Sequence, residues 1–167
     1  LAKLLNARES EETWLLAAEY QLAAGNAAKA KDYILKILDK SRRHLDALLV
    51  LARIEDQAGY PTRAAQAFRD AGLIRDDYEP WLYHQGLFLL SQRRSAEFEP
   101  HLASYRRLFP ESDRMFHLAS LRAAQAGAWN DSLAFIQKAL FWRPEKPEYL
   151  GQLREVLADL VAEPAAL

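Results

Sequence analysis

A spacing of 34 residues governs this chain. Gly25 and Gly59 each end one helix-forming segment and precede another, and they are separated by 59 − 25 = 34 residues. The same step leads on to Arg93, in a polar break, and to Gly127, so the glycine fails once in its column. Other columns keep their character. Trp14 maps to Leu48, Leu82, Phe116 and Leu150, Ala18 to Ala52, Gly86 and Ser120, and Ile34 to Phe68, Leu102 and Ile136. Pro110 and Pro144 fall in one more column, each where a helical segment closes. A register held over successive steps without an insertion marks a single supersecondary unit used repeatedly. Between the breaks the chain is rich in Ala, Leu, Glu, Arg and Gln and poor in β-branched residues, which favours helix, and nothing alternates as a strand would.

Composition narrows the function classes. Half of the 167 residues are apolar and 27% are charged, with 22 basic against 23 acidic side chains and a net charge of −1. That balance argues against a disordered or collagen-like chain and offers no field to coat nucleic acid. With no cysteine, a disulfide framework, a thiolate nucleophile and a cysteine-ligated zinc are excluded. No apolar run approaches the roughly 20 residues of a membrane span, so no direct membrane insertion is expected.

The pattern of a bulky residue, a small one four later, an alanine in the second helix, an aliphatic or aromatic residue four beyond it and a closing proline resembles the tetratricopeptide repeat. Trp14 with Ala18, Ala30 with Ile34, Ala64 with Phe68, and Pro110 and Pro144 carry the likeness, and Ser132 is a small substitute for the alanine. Phe98 is not small, which implies a wider helix separation or a shifted turn there; Arg42 and Asp76 stand where the first two prolines would be. The resemblance implies an all-α, right-handed superhelical solenoid of antiparallel helix pairs. The repeats would be 11–44, 45–78, 79–112 (divergent) and 113–146, with a capping helix at 147–161 and a tail at 162–167. Residues 1–10 would be the remnant of a preceding repeat helix, since Leu1, Leu4 and Leu5 fall one step before Leu35, Leu38 and Asp39, and the chain is expected to be an excised stretch of a longer protein.

Helices are expected at 11–24 and 27–40, 45–58 and 61–74, 79–92 and 95–108, 113–126 and 129–142. Ser10 and Ser112 sit where N-cap oxygens would, and Pro61, Pro80 and Pro147 fall in first turns. In the capping helix Leu150, Leu153, Val156, Leu157 and Leu160 form an apolar stripe, expected to face the array, with Gln152, Arg154, Glu155 and Asp159 toward water.

In the family the first helix of each pair lines the concave surface. Projected onto this chain, the inward residues are Glu12, Leu15, Glu19 and Leu22; then Asp46, Leu49, Arg53 and Asp56; then Tyr83, Leu87 and Leu90; then Arg114, His117, Leu121 and Gln125. Glu148, Gln152 and Glu155 continue that face along the cap. The lysine and asparagine clamp by which the best-known members hold a free carboxylate would fall at Leu15, Glu19, Leu49 and Arg53, so it is absent. An apolar middle from Leu49 through Tyr83 and Leu87 to Leu121 suits an amphipathic or extended protein segment, with Tyr83 as its aromatic anchor. The alternative is that these leucines pack against their own neighbouring helices. Trp14, Trp81 and Trp129 are read as core, and Trp142 with Phe141 as a secondary exposed patch.

No catalytic constellation stands out. His44, His84, His101 and His117 lack metal-ligand spacing, and no phosphate loop, nucleophile elbow or dinucleotide fingerprint occurs. No catalytic residue, metal or other cofactor is assigned. The pairs Arg42–Arg43, Arg93–Arg94 and Arg106–Arg107 lie near helix C-termini and read as dipole partners rather than a phosphate track, so no nucleic acid is expected. The function expected is a non-catalytic protein–protein interaction scaffold within a larger assembly. The alternatives are a regulatory or targeting segment of a larger enzyme or secretion machine, and a spacer that self-associates through an open N-terminal end. Cytoplasm and periplasm both remain open.

Overall fold

The computed structural model describes residues 10–162; residues 1–9 of the expected N-terminal helix remnant, with its open end, and the last five residues of the tail lie outside them. Among the described residues are α1 (Glu11–Ala23), α2 (Ala27–Lys40), α3 (Leu45–Gln57), α4 (Pro61–Gly72), α5 (Glu79–Ser91), α6 (Ser95–Leu108), α7 (Asp113–Gln125), α8 (Trp129–Trp142) and α9 (Pro147–Ala162), and no strand. The odd-numbered helices begin at 11, 45, 79, 113 and 147, the even-numbered ones at 27, 61, 95 and 129, so the 34-residue step seen in the sequence is kept by the backbone. Expected and observed helix ends agree within two residues.

The tight turn inside each pair explains that constancy. Gly25 donates its N–H to Leu22 O and Asn26 to Gln21 O, which is the Schellman closure: a 5→2 and a 6→1 bond around a residue in the left-handed region. The same two bonds recur from Gly59 and Tyr60, from Arg93 and Arg94, and from Gly127 and Ala128. Gly25, Gly59 and Gly127 have φ of 77°, 79° and 72°, and Arg93 takes the same place at φ 54°. The turn opposite Phe98 is therefore not shifted, which removes one of the two accommodations expected for it; Phe98 itself is wholly buried.

N-caps fix the other ends. Ser10 accepts from Thr13 N–H and Ser112 from Met115 N–H, as expected, and His44 does the same for α3, its Nδ1 accepting from Ala47 N–H. Pro100 lies inside α6, where it removes one intrahelical donor.

The chain divides into two compact units, residues 1–85 and 86–167, the division falling within α5. In the first, Trp14, Ala18, Ala30, Ile34, Val50 and Ile54 form the core of α1, α2 and α3. Lys40 Nζ lies over the Trp14 ring, and buried Glu55 on α3 is paired with Lys31 and Arg63. Trp81 donates to Phe68 O at 2.8 Å, its ring against Gly72, where a Cβ would come within 2.6 Å of it.

In the second unit Ile136, Ala139 and Tyr149 form a core cluster with Phe116, Leu133 and Leu153 packed on it. Gly86 makes room for Leu118, whose side chain a Cβ at 86 would strike. Ser120 and Ser132 are both buried and joined across α7 and α8 by reciprocal bonds to each other's carbonyls at 3.0 and 2.9 Å.

The buried face of α9 corrects one expectation. Of the expected stripe Val156 is inside and Leu153 packs on the core cluster, but Tyr149 and Gln152 are inside as well while Leu150 and Leu157 are 36% and 44% exposed, so the buried face is displaced toward Tyr149 by up to one residue. One residue is about 100° of rotation. Tyr149 gains by it: its hydroxyl donates to Asp113 Oδ2 at 2.6 Å, accepts from Lys146 Nζ at 2.8 Å, and its ring lies 4.7 Å from that of His117. A leucine in that place could offer only packing.

Candidate functional site

The second unit carries a groove of about 420 Å³ between odd-numbered helices. Leu87, Leu90 and Ser91 of α5 form one wall and Leu121, Ala124 and Gln125 of α7 the floor. Trp129, at the start of α8, closes one side, and Gln152, Glu155 and Asp159 of α9 form the opposite wall. Residues 152, 155 and 159 share a helix face at steps of three and four, so their polar ends line one edge. Gln125 donates its side-chain N–H to Leu90 O at 3.3 Å and so ties α7 to α5. Gln152 is only 6% exposed, and its side-chain amide, open to the groove, is in no hydrogen bond among the described residues. Glu155 and Asp159 are exposed and, among those residues, in no ion pair, and no Lys or Arg lines the groove.

Of the inward positions expected from the sequence, Leu87, Leu90, Leu121, Gln125, Gln152 and Glu155 come together here. His117 does not line the groove: it is 5% exposed, its ring tilted against that of Tyr149. Burial holds its pKa down to about 4, with Lys146 adding to the effect and Glu148 and Asp113 opposing it. It is a neutral packing group at neutral pH. Leu90, though part of the wall, is itself mostly buried.

In the first unit the expected positions are dispersed among other duties. Glu19 and Arg53 bond to each other at 3.3 Å, Asp46 accepts from the Tyr78 hydroxyl at 2.7 Å, and Leu15 packs on the core cluster. Leu22 and Leu49 are buried, while Glu12 is exposed. Tyr83 is 8% exposed with its ring edge-on to His84 at 5.3 Å, so its aromatic face is committed to the protein rather than presented to a partner. Of the arginines, Arg94 clasps Glu97 with two bonds of 2.7 Å, and Arg106 and Arg107 lie in the last turn of α6. No group of three or more potential metal ligands occurs among the described residues, and no described helix is long and apolar enough to cross a membrane.

Four groove residues escape a reading by inner-face columns: Ser91, Ala124, Trp129 and Asp159. Trp129 opens a second helix, a position that the family pattern assigns to packing. Its expected place in the core is corrected accordingly: it is half-buried, with one side on the groove.

No family model matches the sequence, and no curated protein sequence matches it. Solved structures do match. A structure of PilF from Pseudomonas aeruginosa aligns with a TM-score of 0.75 at 22% identity, covering 91% of this chain and 69% of that one. TTC0263, a thermophilic TPR protein of Thermus thermophilus, aligns at 0.78 and 20% identity over 95% of this chain and 85% of its own. PilW, a type IV pilus biogenesis factor, aligns at 0.72 and 18% identity over 93% and 78%. Likeness at these identities speaks to architecture, and the architecture of this all-helical chain is that of the tetratricopeptide-repeat proteins.

Proposed function

We propose that this protein is a non-catalytic interaction module, built from repeats at 11–44, 45–78, 79–112 and 113–146 with a cap at 147–161, that holds a segment of another polypeptide. The observation that carries the reading is the groove of the second unit, where first-helix residues Leu87 and Leu121 meet the cap residues Gln152 and Glu155 around an apolar floor. Concave, largely apolar surfaces with a few polar groups are where recognition concentrates. Fold alone does not assign a job, and this groove supports the reading where the fold does not. One of the structures it resembles is that of PilW, a type IV pilus biogenesis factor, and a part in assembling a larger machine is consistent with it.

The test is selection of a random peptide library displayed on phage against the immobilised protein, followed by binding to the Leu121→Glu variant. Selected peptides should lose more than about 1 kcal/mol of affinity, with the thermal midpoint of the variant kept within a few degrees of the parent. Peptides that bind both proteins equally would overturn the reading.

A further inference from the structure

The groove's polar edge says more about its occupant. We infer that it takes a segment presenting an apolar side chain beside a lysine or arginine, an inference that rests on the groove being the binding site. Two independent features point this way. The first is Gln152, more than nine-tenths buried and lining the groove, whose amide has no hydrogen-bond partner among the described residues. The amide opens onto the groove rather than being sealed inside the protein, and the backbone N–H or C=O of an inserted segment bonds to it there. The second is charge. Glu155 and Asp159 stand one turn apart beyond Gln152 on the same face of α9, with no cation lining the groove to balance them. Leu87, Leu121 and Trp129 across the groove supply the apolar contact. An occupant whose backbone meets Gln152 and whose apolar side chain enters between Leu87 and Leu121 has its adjacent side chains at the two carboxylates. Electrostatic complementarity of this kind selects partners more than it adds bulk affinity.

The probes are three acetylated, amidated peptides of about 14 residues, with leucine at the same central position and all other positions lysine, glutamine or glutamate. Binding is read by anisotropy of a fluorescein label and by tryptophan emission, with Trp129→Phe identifying the groove's share. The lysine peptide should bind about tenfold tighter than the glutamine peptide, and the glutamate peptide weakest of all. Glu155→Gln with Asp159→Asn should remove that advantage and leave the glutamine peptide unchanged. Glu111→Gln with Glu145→Gln removes the same charge from exposed sites outside the groove lining and should leave all three affinities within about twofold. Equal binding of lysine and glutamine peptides, or an equal loss from both double variants, overturns the charge inference. If Leu121→Glu still abolishes both in that case, the groove reading survives it. Binding insensitive to Leu121→Glu defeats both.

Discussion

The third and fourth helix pairs obey the same 34-residue frame by different means. In α7 and α8 the small-residue seam is Ser120 against Ser132, two buried hydroxyls that answer each other's carbonyls, and the turn between them is closed by Gly127. In α5 and α6 the corresponding positions are Gly86 and Phe98, the turn residue is Arg93 at φ 54°, and Pro100 interrupts the donor ladder of α6. Yet α6 begins at Ser95 and α8 at Trp129, in step with α2 and α4. What the pairs share is the backbone closure of the turn, which uses main-chain atoms that every residue but proline possesses. Side chains can change as long as each local cost is met by packing. The contrast therefore turns into energies: the fourth pair carries buried polar chemistry, the third carries backbone strain.

The largest consequence falls on the fourth pair. The column that holds Leu15, Leu49 and Tyr83 in the earlier pairs holds His117 there, a titratable ring inside the protein. Its pKa is lowered from 6.5 to about 4 in the folded chain. Above pH 6.5 the ring is neutral folded or unfolded and costs nothing extra. Between 6.5 and 4 the unfolded chain takes up a proton that the folded chain refuses, so stability falls as pH falls, and the loss levels off below 4. At its limit the difference is of order 3 kcal/mol. Urea unfolding of the protein and of His117→Leu across pH 4 to 7 isolates it: the parent should lose stability relative to the variant as the medium is acidified. Parallel curves would mean that the ring is hydrated, and that the fourth pair is no more pH-sensitive than the others.

A smaller effect sharpens the seam itself. Ser120→Ala removes one of two reciprocal hydrogen bonds and should cost about 1 kcal/mol, as should Ser132→Ala. The double change recreates the alanine pair of Ala18 with Ala30 and of Ala52 with Ala64, and it should cost no more than either single one. Thermal or denaturant midpoints of the three variants close the cycle. Additive losses would show that the hydroxyls act separately, and that the serine seam is not simply an alternative to an alanine one.

Much of this frame was legible because helix ends depend on local signals: a glycine, a serine cap, a proline in the first turn. The spacing of Gly25, Gly59 and Gly127 placed the turns, and Ser10 and Ser112 the caps. The site was less legible, for two physical reasons. Side-chain columns give the face of a helix only to within about a residue, and α9 differs by that amount because Tyr149 finds Asp113 and His117 where Leu150 would find nothing. Columns also say which face a residue occupies but not how closely the next helix covers it. Leu49 and Tyr83 are covered, whereas Leu87 and Leu121 are left beside open space. Trp129 joins that space from a helix that the column rule sets aside, and no signal local to Trp129 announces it.

Arg93 gives the mildest and cleanest test of the contrast. It is the only non-glycine residue with positive φ among the described residues, its side chain is exposed, and its N–H closes the turn as Gly127 does. An L-residue in the left-handed region costs about 1–2 kcal/mol, of which glycine gives back part through its greater freedom when unfolded. Arg93→Gly should thus stabilise the protein by about 0.5–1 kcal/mol, a rise of about 2 °C in the thermal midpoint. Gly127→Arg imposes the same strain on the fourth pair and should lower the midpoint by a similar amount. If Arg93→Gly leaves the midpoint unchanged or lowers it while Gly127→Arg destabilises, the third turn has been relieved by its surroundings and the strain assigned to this pair resides in Pro100 instead. If both substitutions shift the midpoint in opposite directions by like amounts, the two turns are interchangeable, and it is the main chain that keeps the repeats in step.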